Sequence, residues 1–407
     1  MLKSVRFINW KSFRDATLHL DPLTVLIGAN ASGKSNAIEG LELLARLARG
    51  TDIQTALDGG EKLPSIRGGV EWAGFRGADA VTIDVLFQEP EKQEDRLYRT
   101  SIQLKPTLEL SQVLAPLRPD GTPIIDAERQ AKLEEYFASL FQRDEPRRSR
   151  PNESSHMSSF FRGLISEMGF ERLMQSPFRR SLRSLFVLMP ETALMRRYVP
   201  LAESLLPDSS NLAGVIAALP DSQRKEIEDL LTEYLAKLPE YQVKRIYVER
   251  FGLHKSDAML CCEEPWGTAI DARCMSDGTL RFVAILTALL TLPSGSLLVI
   301  EDVDTGIHPS RLELVFQVLR SEGKRRGVDV LVTTHNEAFL DALPPEMWPF
   351  VTVAHRDSDS GESRLTPLDE LGEYGRIVAA GPLGRAVKSG VVERAAHKAA
   401  LRPAESK

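Results

Sequence analysis

The chain is poor in the features that mark several common classes of protein. Its three cysteines, Cys261, Cys262 and Cys274, are an adjacent pair and a third residue twelve positions on. That is no zinc-ligand spacing, and they read as small buried hydrophobes in a reducing compartment. No apolar run approaches the ~20 residues of a membrane-spanning helix, so no membrane partner is expected. The opening MLKSVRFINW has no signal-peptide core, which makes the cytoplasm the expected address. A formal net charge of −6 excludes a uniformly basic surface and leaves any nucleic-acid contact to a local patch. The N-K-x-D run by which a GTPase reads guanine is missing. No heptad pattern is sustained enough for more than a short coiled coil. With 407 residues, 43% hydrophobic and 27% charged, the composition is that of an ordinary globular protein of roughly two or three domains.

What is present begins at Leu23. The stretch LTVLIGANASGKSNAI, residues 23–38, reads as a buried strand, then G-x-x-x-x-G-K-S, then a helix. Gly28 and Gly33 let the backbone of Asn30, Ala31 and Ser32 wrap so that successive N–H groups point at a phosphate, and the helix start adds its positive end. Lys34 supplies a point charge for the β- and γ-phosphates and Ser35 a hydroxyl for Mg²⁺, with Asn36 completing the run. ATP and Mg²⁺ are therefore the expected ligands. The alternative is a glycine turn between a strand and a helix; the strand and helix flanks favour the nucleotide.

Ahead of this loop, Ser4–Trp10 and Ala16–Leu20 read as a strand pair, and after it Val81–Gln88 and Leu97–Leu104 read as another. Residues 106–240 turn helical and irregular, and carry Arg143, Arg147, Arg148, Arg150, Arg162, Arg172, Arg179, Arg180 and Arg183, then Arg196 and Arg197. These serve either a phosphate-contacting patch or solvated helix faces, while Phe160, Phe161 and Phe178 fit either base stacking or a core. Later, MSDGTLRFVAILTALL (275–290) is a helix capped by Ser276, with Gly278 permitting close approach. GSLLVIEDVDTGIHP (295–309) is a buried strand that brings Glu301 and Asp302 to a sheet's carboxyl edge. A further strand, 328–334, ends at His335, and Phe350–Val353 and Arg364–Leu368 are expected as edge strands. Asp357 and Asp359 form a D-x-D, but the segment after His335 is too short for the nuclease domain that would use it.

FINWKSF (7–13), the phosphate loop, the S-D-G helix, the acidic strand and His335, in this order, resemble the SMC and RecF-like ABC-type ATPases, in particular OLD-like AAA ATPases without a Toprim domain. The resemblance implies an α/β P-loop NTPase head of ABC/SMC/RecF type with a mainly helical insertion. Its first half would be 1–105, the insertion 106–240, the second half 241–390 and a flexible tail 391–407. It makes Glu301 the Mg²⁺ ligand with Ser35, and Asp302 the group that orients water. His335 becomes the switch at the γ-phosphate, Ser276 and Gly278 groups acting on nucleotide held by another subunit, and the TGIHP turn with His308 part of that contact. Gln88 falls where such proteins carry a Mg²⁺-sensing glutamine, although a polar strand end fits as well. Relatives read Asp-Glu or Glu-Glu at the acidic pair; Glu301-Asp302 puts the shorter acid beside the water and implies slow hydrolysis. The partners implied are a second copy joined through ATP, DNA, and a separate effector protein in phage defence or DNA repair. The competing expectation is a scaffold that holds ATP without meaningful turnover and sequesters a partner protein.

Overall fold

The computed structural model describes residues 2–61, 63–88, 94–117, 182–237 and 243–400. Strands and helices are numbered here in chain order. β1 (Leu2–Trp10), β2 (Phe13–His19), β4 (Ala80–Gln88), β5 (Asp95–Gln103) and β6 (Glu109–Pro116) form an antiparallel sheet in the order β2-β1-β4-β5-β6. Both strand pairs expected from the alternating pattern are present. Val5 and Phe7 are fully buried in it, as period-two alternation requires of one sheet face, and Trp10 and Phe13 are buried beyond Asn9, whose positive φ (54°) breaks the alternation.

A second sheet carries the carboxyl edge on which the rest depends. Its order is β15-β14-β3-β13-β12-β7, built from β15 (Ser363–Pro367), β14 (Val351–Arg356), β3 (Leu23–Ile27), β13 (Asp329–Thr333), β12 (Leu297–Ile300) and β7 (Phe186–Leu188). All but β15 run parallel, so the residues after β3, β12, β13 and β14 gather at one edge. The interior strands are buried on both faces. Val25 and Ile27 belong to one apolar core with Leu298, Ile300, Val330 and Val332, whereas Leu26, Val299 and Leu331 join the core shared with the antiparallel sheet. This explains why they read as unbroken apolar runs.

A small third sheet holds β8 (Val199–Pro200), β9 (Arg245–Phe251), β10 (Asp257–Glu263) and β11 (Ala269–Asp271), with β10 pairing all three others. Among the described residues the α-helices are α1 (Lys34–Ala48), α2 (Ile53–Asp58), α3 (Leu212–Ala218), α4 (Asp221–Ala236), α5 (Asp277–Thr291), α6 (Leu312–Arg326), α7 (Glu337–Asp341), α8 (Tyr374–Ala379), α9 (Leu383–Lys388) and α10 (Val391–Ala400). Gly40 on α1 lets the helix meet the hairpin, since a Cβ there would lie 2.4 Å from the Phe7 ring.

Three expectations are corrected. Residues 106–240 are not wholly an insertion, because β6 completes the antiparallel sheet and β7 extends the parallel one beside β12. Strand β14 is not an edge: it lies between β15 and β3, and of the two expected edge strands β15 alone ends the sheet on that side. The tail from residue 391 begins as a docked helix, because Val392, Ala395 and Ala396 share one face and are buried. The rest of the tail, 401–407, and the arginines and phenylalanines from Arg143 to Arg180 lie outside the described residues.

Candidate functional site

The phosphate loop is shaped by two glycines that no other residue could replace cheaply. Gly28 has φ 144° and Gly33 φ 114°. A Cβ on Gly28 would fall 2.1 Å from the Ala354 carbonyl oxygen, and one on Gly33 2.8 Å from Ser363 Oγ. No side chain caps the start of α1, which leaves its first-turn amides free of an intrahelical partner. Lys34 is buried, and its ammonium donates across the loop to the carbonyl oxygens of Gly28 (2.7 Å) and Ala29 (3.1 Å). Burial pushes its pKa below the ordinary lysine value, opposed by the carboxylates of Asp302 and Glu301. Among the described residues, the buried Ser32 Oγ has no hydrogen-bond partner. Asn30 and Ala31 are exposed at the loop's crest.

The acidic strand meets this loop directly. Ser35 Oγ donates to Glu301 Oε1 although 266 positions separate the two residues. Asp302 adopts a left-handed backbone, φ 47°, a region that short Asp tolerates better than a longer side chain. Its N–H donates to Thr333 Oγ1 at 2.8 Å, and its Oδ1 lies 3.8 Å from His335 Nδ1, both side chains being exposed. One residue along, Thr334 Oγ1 donates to the buried Asp304 carboxylate at 2.6 Å and accepts from the Asn336 N–H at 3.0 Å. Thr333 and Thr334 thus lace the turn after Glu301 to the turn before His335. Sequence reading passed over both, because threonine in a β-branched strand carries no separate signal.

These residues fit a nucleotide with Mg²⁺. Magnesium in such sites takes one or two protein oxygens plus phosphate oxygens, and Ser35 with Glu301 is such a pair. Among the described residues no cluster of three or more His, Cys, Asp or Glu forms a metal cage, which is compatible with that mode. A cavity of about 410 Å³ flanks the loop, lined by Gly28, Asn30, Ser32, His335, His355 and Arg356 and walled on its far side by α10. Burial, then the charge of Arg364, pushes the His355 pKa down to about 4, so the His355 ring is neutral at pH 7. His355 and Arg356 were not singled out from sequence, since they sit in a strand with no motif of its own.

The S-D-G helix α5, called the signature helix below, is built differently. Ser276 is the N-cap of α5, its Oγ accepting from the Thr279 N–H at 3.2 Å while remaining exposed. Gly278 is buried, and its missing Cβ has a reason inside this chain: it would lie 2.6 Å from the Gly306 carbonyl oxygen. Among the described residues no hydrogen bond joins Ser276 or Gly278 to the phosphate loop. His308 caps the short turn Pro309–Arg311 through the Ser310 N–H.

Other expectations land elsewhere. Asn36 donates its side-chain amide to Ser12 Oγ (2.7 Å) and its backbone carbonyl oxygen accepts from Trp10 Nε1 (2.7 Å), so it ties α1 to the FINWKSF hairpin. Gln88 pairs with Asp95 at the end of the antiparallel sheet near Leu2, opposite the Trp10–Phe13 tip that touches α1. At about 3.3 Å per residue it is on the order of 25 Å from that tip, too far to sense Mg²⁺. Cys261 and Cys262 are buried, with burial pushing the Cys261 thiol up to about 11, but Cys274 is exposed. Asp357 accepts from the Asp359 and Ser360 N–H groups and pairs with Arg364 at 2.9 Å, which holds the turn before β15. Among the described residues no helix is long and apolar enough to cross a membrane.

No curated protein sequence matches the chain. Among solved structures it is similar to an SMC head bound to the C-winged helix domain of ScpA, with TM-score 0.53 and 12% identity over 90% of this chain and 97% of that one. SMC head domains from Thermotoga maritima (TM-score 0.44, 13% identity, covering 90% and 98%) and Pyrococcus yayanosii (0.47, 12%, covering 97% and 99%) are also similar. The first of these shows a shared α/β P-loop ATPase head fold. The family model described as "AAA domain, putative AbiEii toxin, Type IV TA system" matches residues 23–341. The chain, with its phosphate loop, acidic strand and following histidine on one sheet edge, belongs to that family of AAA-domain ATPases.

Proposed function

We propose that the protein binds ATP with Mg²⁺, closes with a second copy around two nucleotides, and hydrolyses them slowly as a switch. The observation that carries this reading is the meeting of Ser35 with Glu301 at the head of α1, with Asp302 and His335 alongside. Gly28 to Gly33 would wrap the triphosphate, and Lys34 would leave its two carbonyl partners for the β- and γ-phosphates. Mg²⁺, when bound by Ser35 and Glu301, would supply positive charge at the β- and γ-phosphate oxygens. Asp302 would orient and polarise the attacking water, and His335 would donate to the γ-phosphate. The short reach of Asp302 favours slow turnover. Ser276 and the amides at the start of α5 would close over nucleotide held by the other copy, since among the described residues no hydrogen bond joins them to their own phosphate loop.

The pathway proposed is phage defence or DNA repair, with a separate effector and with DNA as a candidate partner. Support comes from the family description, which names a putative toxin of a toxin–antitoxin system, and from the solved SMC head bound to a domain of ScpA. A second reading, an ATP-dependent scaffold that sequesters a partner protein without turnover, draws on Asp302 itself. Phosphate release separates the two. The switch reading expects slow but measurable hydrolysis in the native protein that Asp302→Asn cuts by roughly 10- to 100-fold while ATP binding persists. Equal rates and equal complex lifetimes in the two proteins would leave the scaffold.

A further inference from the structure

Arg196 lies in the stretch that leaves the parallel sheet after β7, where Leu188 pairs with Ile300 next to Glu301. Its guanidinium is given over to the loop that precedes α5. Nη1 reaches the carbonyl oxygens of Ala272 (2.8 Å), Arg273 (3.1 Å) and Met275 (2.7 Å), and Nη2 donates to Asp277 Oδ1 at 2.7 Å. The side chain is 26% exposed and the neighbouring Met195 is buried, so the donor is anchored.

This loop, 272–276, connects β11 to the cap residue Ser276. Three of its carbonyls turn toward Nη1 while Nη2 holds Asp277, so the two arms of a planar guanidinium engage the carbonyls and the carboxylate at once, which a single ammonium nitrogen cannot reproduce in the same geometry. At the end so held, Ser276 and Asp277 are exposed, the Thr279 N–H goes to Ser276 Oγ and the Leu280 N–H to the Ser276 carbonyl oxygen, and the amides of Asp277 and Gly278 are the first-turn donors outside the helix ladder. Asp277 stands at that same end, where a free carboxylate would repel an incoming triphosphate. Arg196, then Thr192, holds its carboxyl below the ordinary range, and Arg281 acts in the same sense.

We propose that Arg196 is the positioning residue of the signature loop: it fixes residues 272–276 and neutralises Asp277, so that Ser276 and the α5 amides can receive triphosphate bound by a second copy. This rests on the two-copy reading above. It predicts damage confined to the contact between copies, with nucleotide binding by each copy's own phosphate loop intact.

The test uses Asp302→Asn protein as parent and adds Arg196→Ala, Arg196→Lys or Asp277→Ala. Three quantities are read: affinity for a fluorescent ATP analogue with Mg²⁺, mass by light scattering across protein concentrations at saturating ATP, and amide hydrogen exchange of residues 272–278. Arg196→Ala should leave nucleotide affinity within roughly twofold. It should speed exchange in the loop and weaken association of the copies, each by about tenfold or more. Arg196→Lys, which keeps the charge and stem, should fall between, and it carries the test if the Ala variant melts early. Asp277→Ala, which keeps the three carbonyl bonds, should stay near the parent. Exchange or association within roughly twofold of the parent in both Arg196 variants would overturn the proposal. A parent that stays monomeric with ATP would instead sink the two-copy reading, and the role of Arg196 in serving a second copy with it.

Discussion

The two helix ends that the sequence marks as nucleotide-facing, at Lys34 and at Ser276, are finished in opposite ways. The end at Lys34 is enclosed by its own chain: Ser35 bonds Glu301, Lys34 bridges two loop carbonyls, and Arg356 Nε donates to Ala31 O at 2.8 Å. The end at Ser276 is held from behind by Arg196 and by Gly306 against Gly278, yet its outer surface is exposed. A phosphate site can be built from one chain, whereas a lid for that site is useful only if it comes from outside and can leave. The difference between the two ends is what a separable, two-copy site would require.

That contrast yields graded expectations. The largest effect belongs to the enclosed end: Lys34→Ala should lower phosphate release about 100-fold or more, with melting temperature little changed. Wild-type rates in this variant would remove the phosphate loop from the chemistry. Next, Asp302→Asn should cut hydrolysis by roughly 10- to 100-fold while retaining ATP, read by single-turnover phosphate release beside equilibrium binding. Third, Gly278→Ala should destabilise the isolated chain by about 1–3 kcal/mol, because its Cβ meets the Gly306 carbonyl oxygen. Ser276→Ala should cost only about 1 kcal/mol for the lost cap. Thermal melts without nucleotide check both, and equal values would mean that Gly278 is not packed against the turn after Asp304.

The smallest effect concerns pH. His355 beside the phosphate loop has its pKa pushed down to about 4 by burial, below the ~6.5 of an unfolded chain. The unfolded state therefore binds more protons between these values, so stability is full above pH 6.5 and falls as pH drops toward 4. At pH 5 the loss should be about 1 kcal/mol after solvent screening, and His355→Gln should remove it. Asp277 near the signature end is shifted downward, so its dependence begins only at lower pH. A melt series from pH 7 to 5 that is flat in the native protein would deny the buried state of His355.

Much of the enclosed end was legible because its physics is local. Gly28, Gly33, Lys34 and Ser35 fall within one short run, 28–35, and an apolar run followed by Glu301 needs only a buried parallel strand to deliver it. Long-range partners were not legible. Nothing in the spacing tells that Asn36 spends its amide on Ser12, that Thr333 holds the Asp302 N–H, or that Arg196 reaches four acceptors some eighty positions away. Gln88 misled because a polar residue at a strand end has the same sequence appearance at either edge of a sheet. The tail misled because alanine and charge suggest fraying until the spacing of Val392, Ala395 and Ala396 is set against a core that receives them. The order Glu301-Asp302, unusual against the resemblance, acquires a local reason from the left-handed backbone at Asp302.

The central claim is that one copy's phosphate loop is completed by another copy's signature end. Light scattering of Asp302→Asn protein at saturating ATP and Mg²⁺ tests it most directly. The account predicts twice the chain mass of 45.3 kDa with ATP and the chain mass without it. A single-chain mass with ATP demonstrably bound would contradict it.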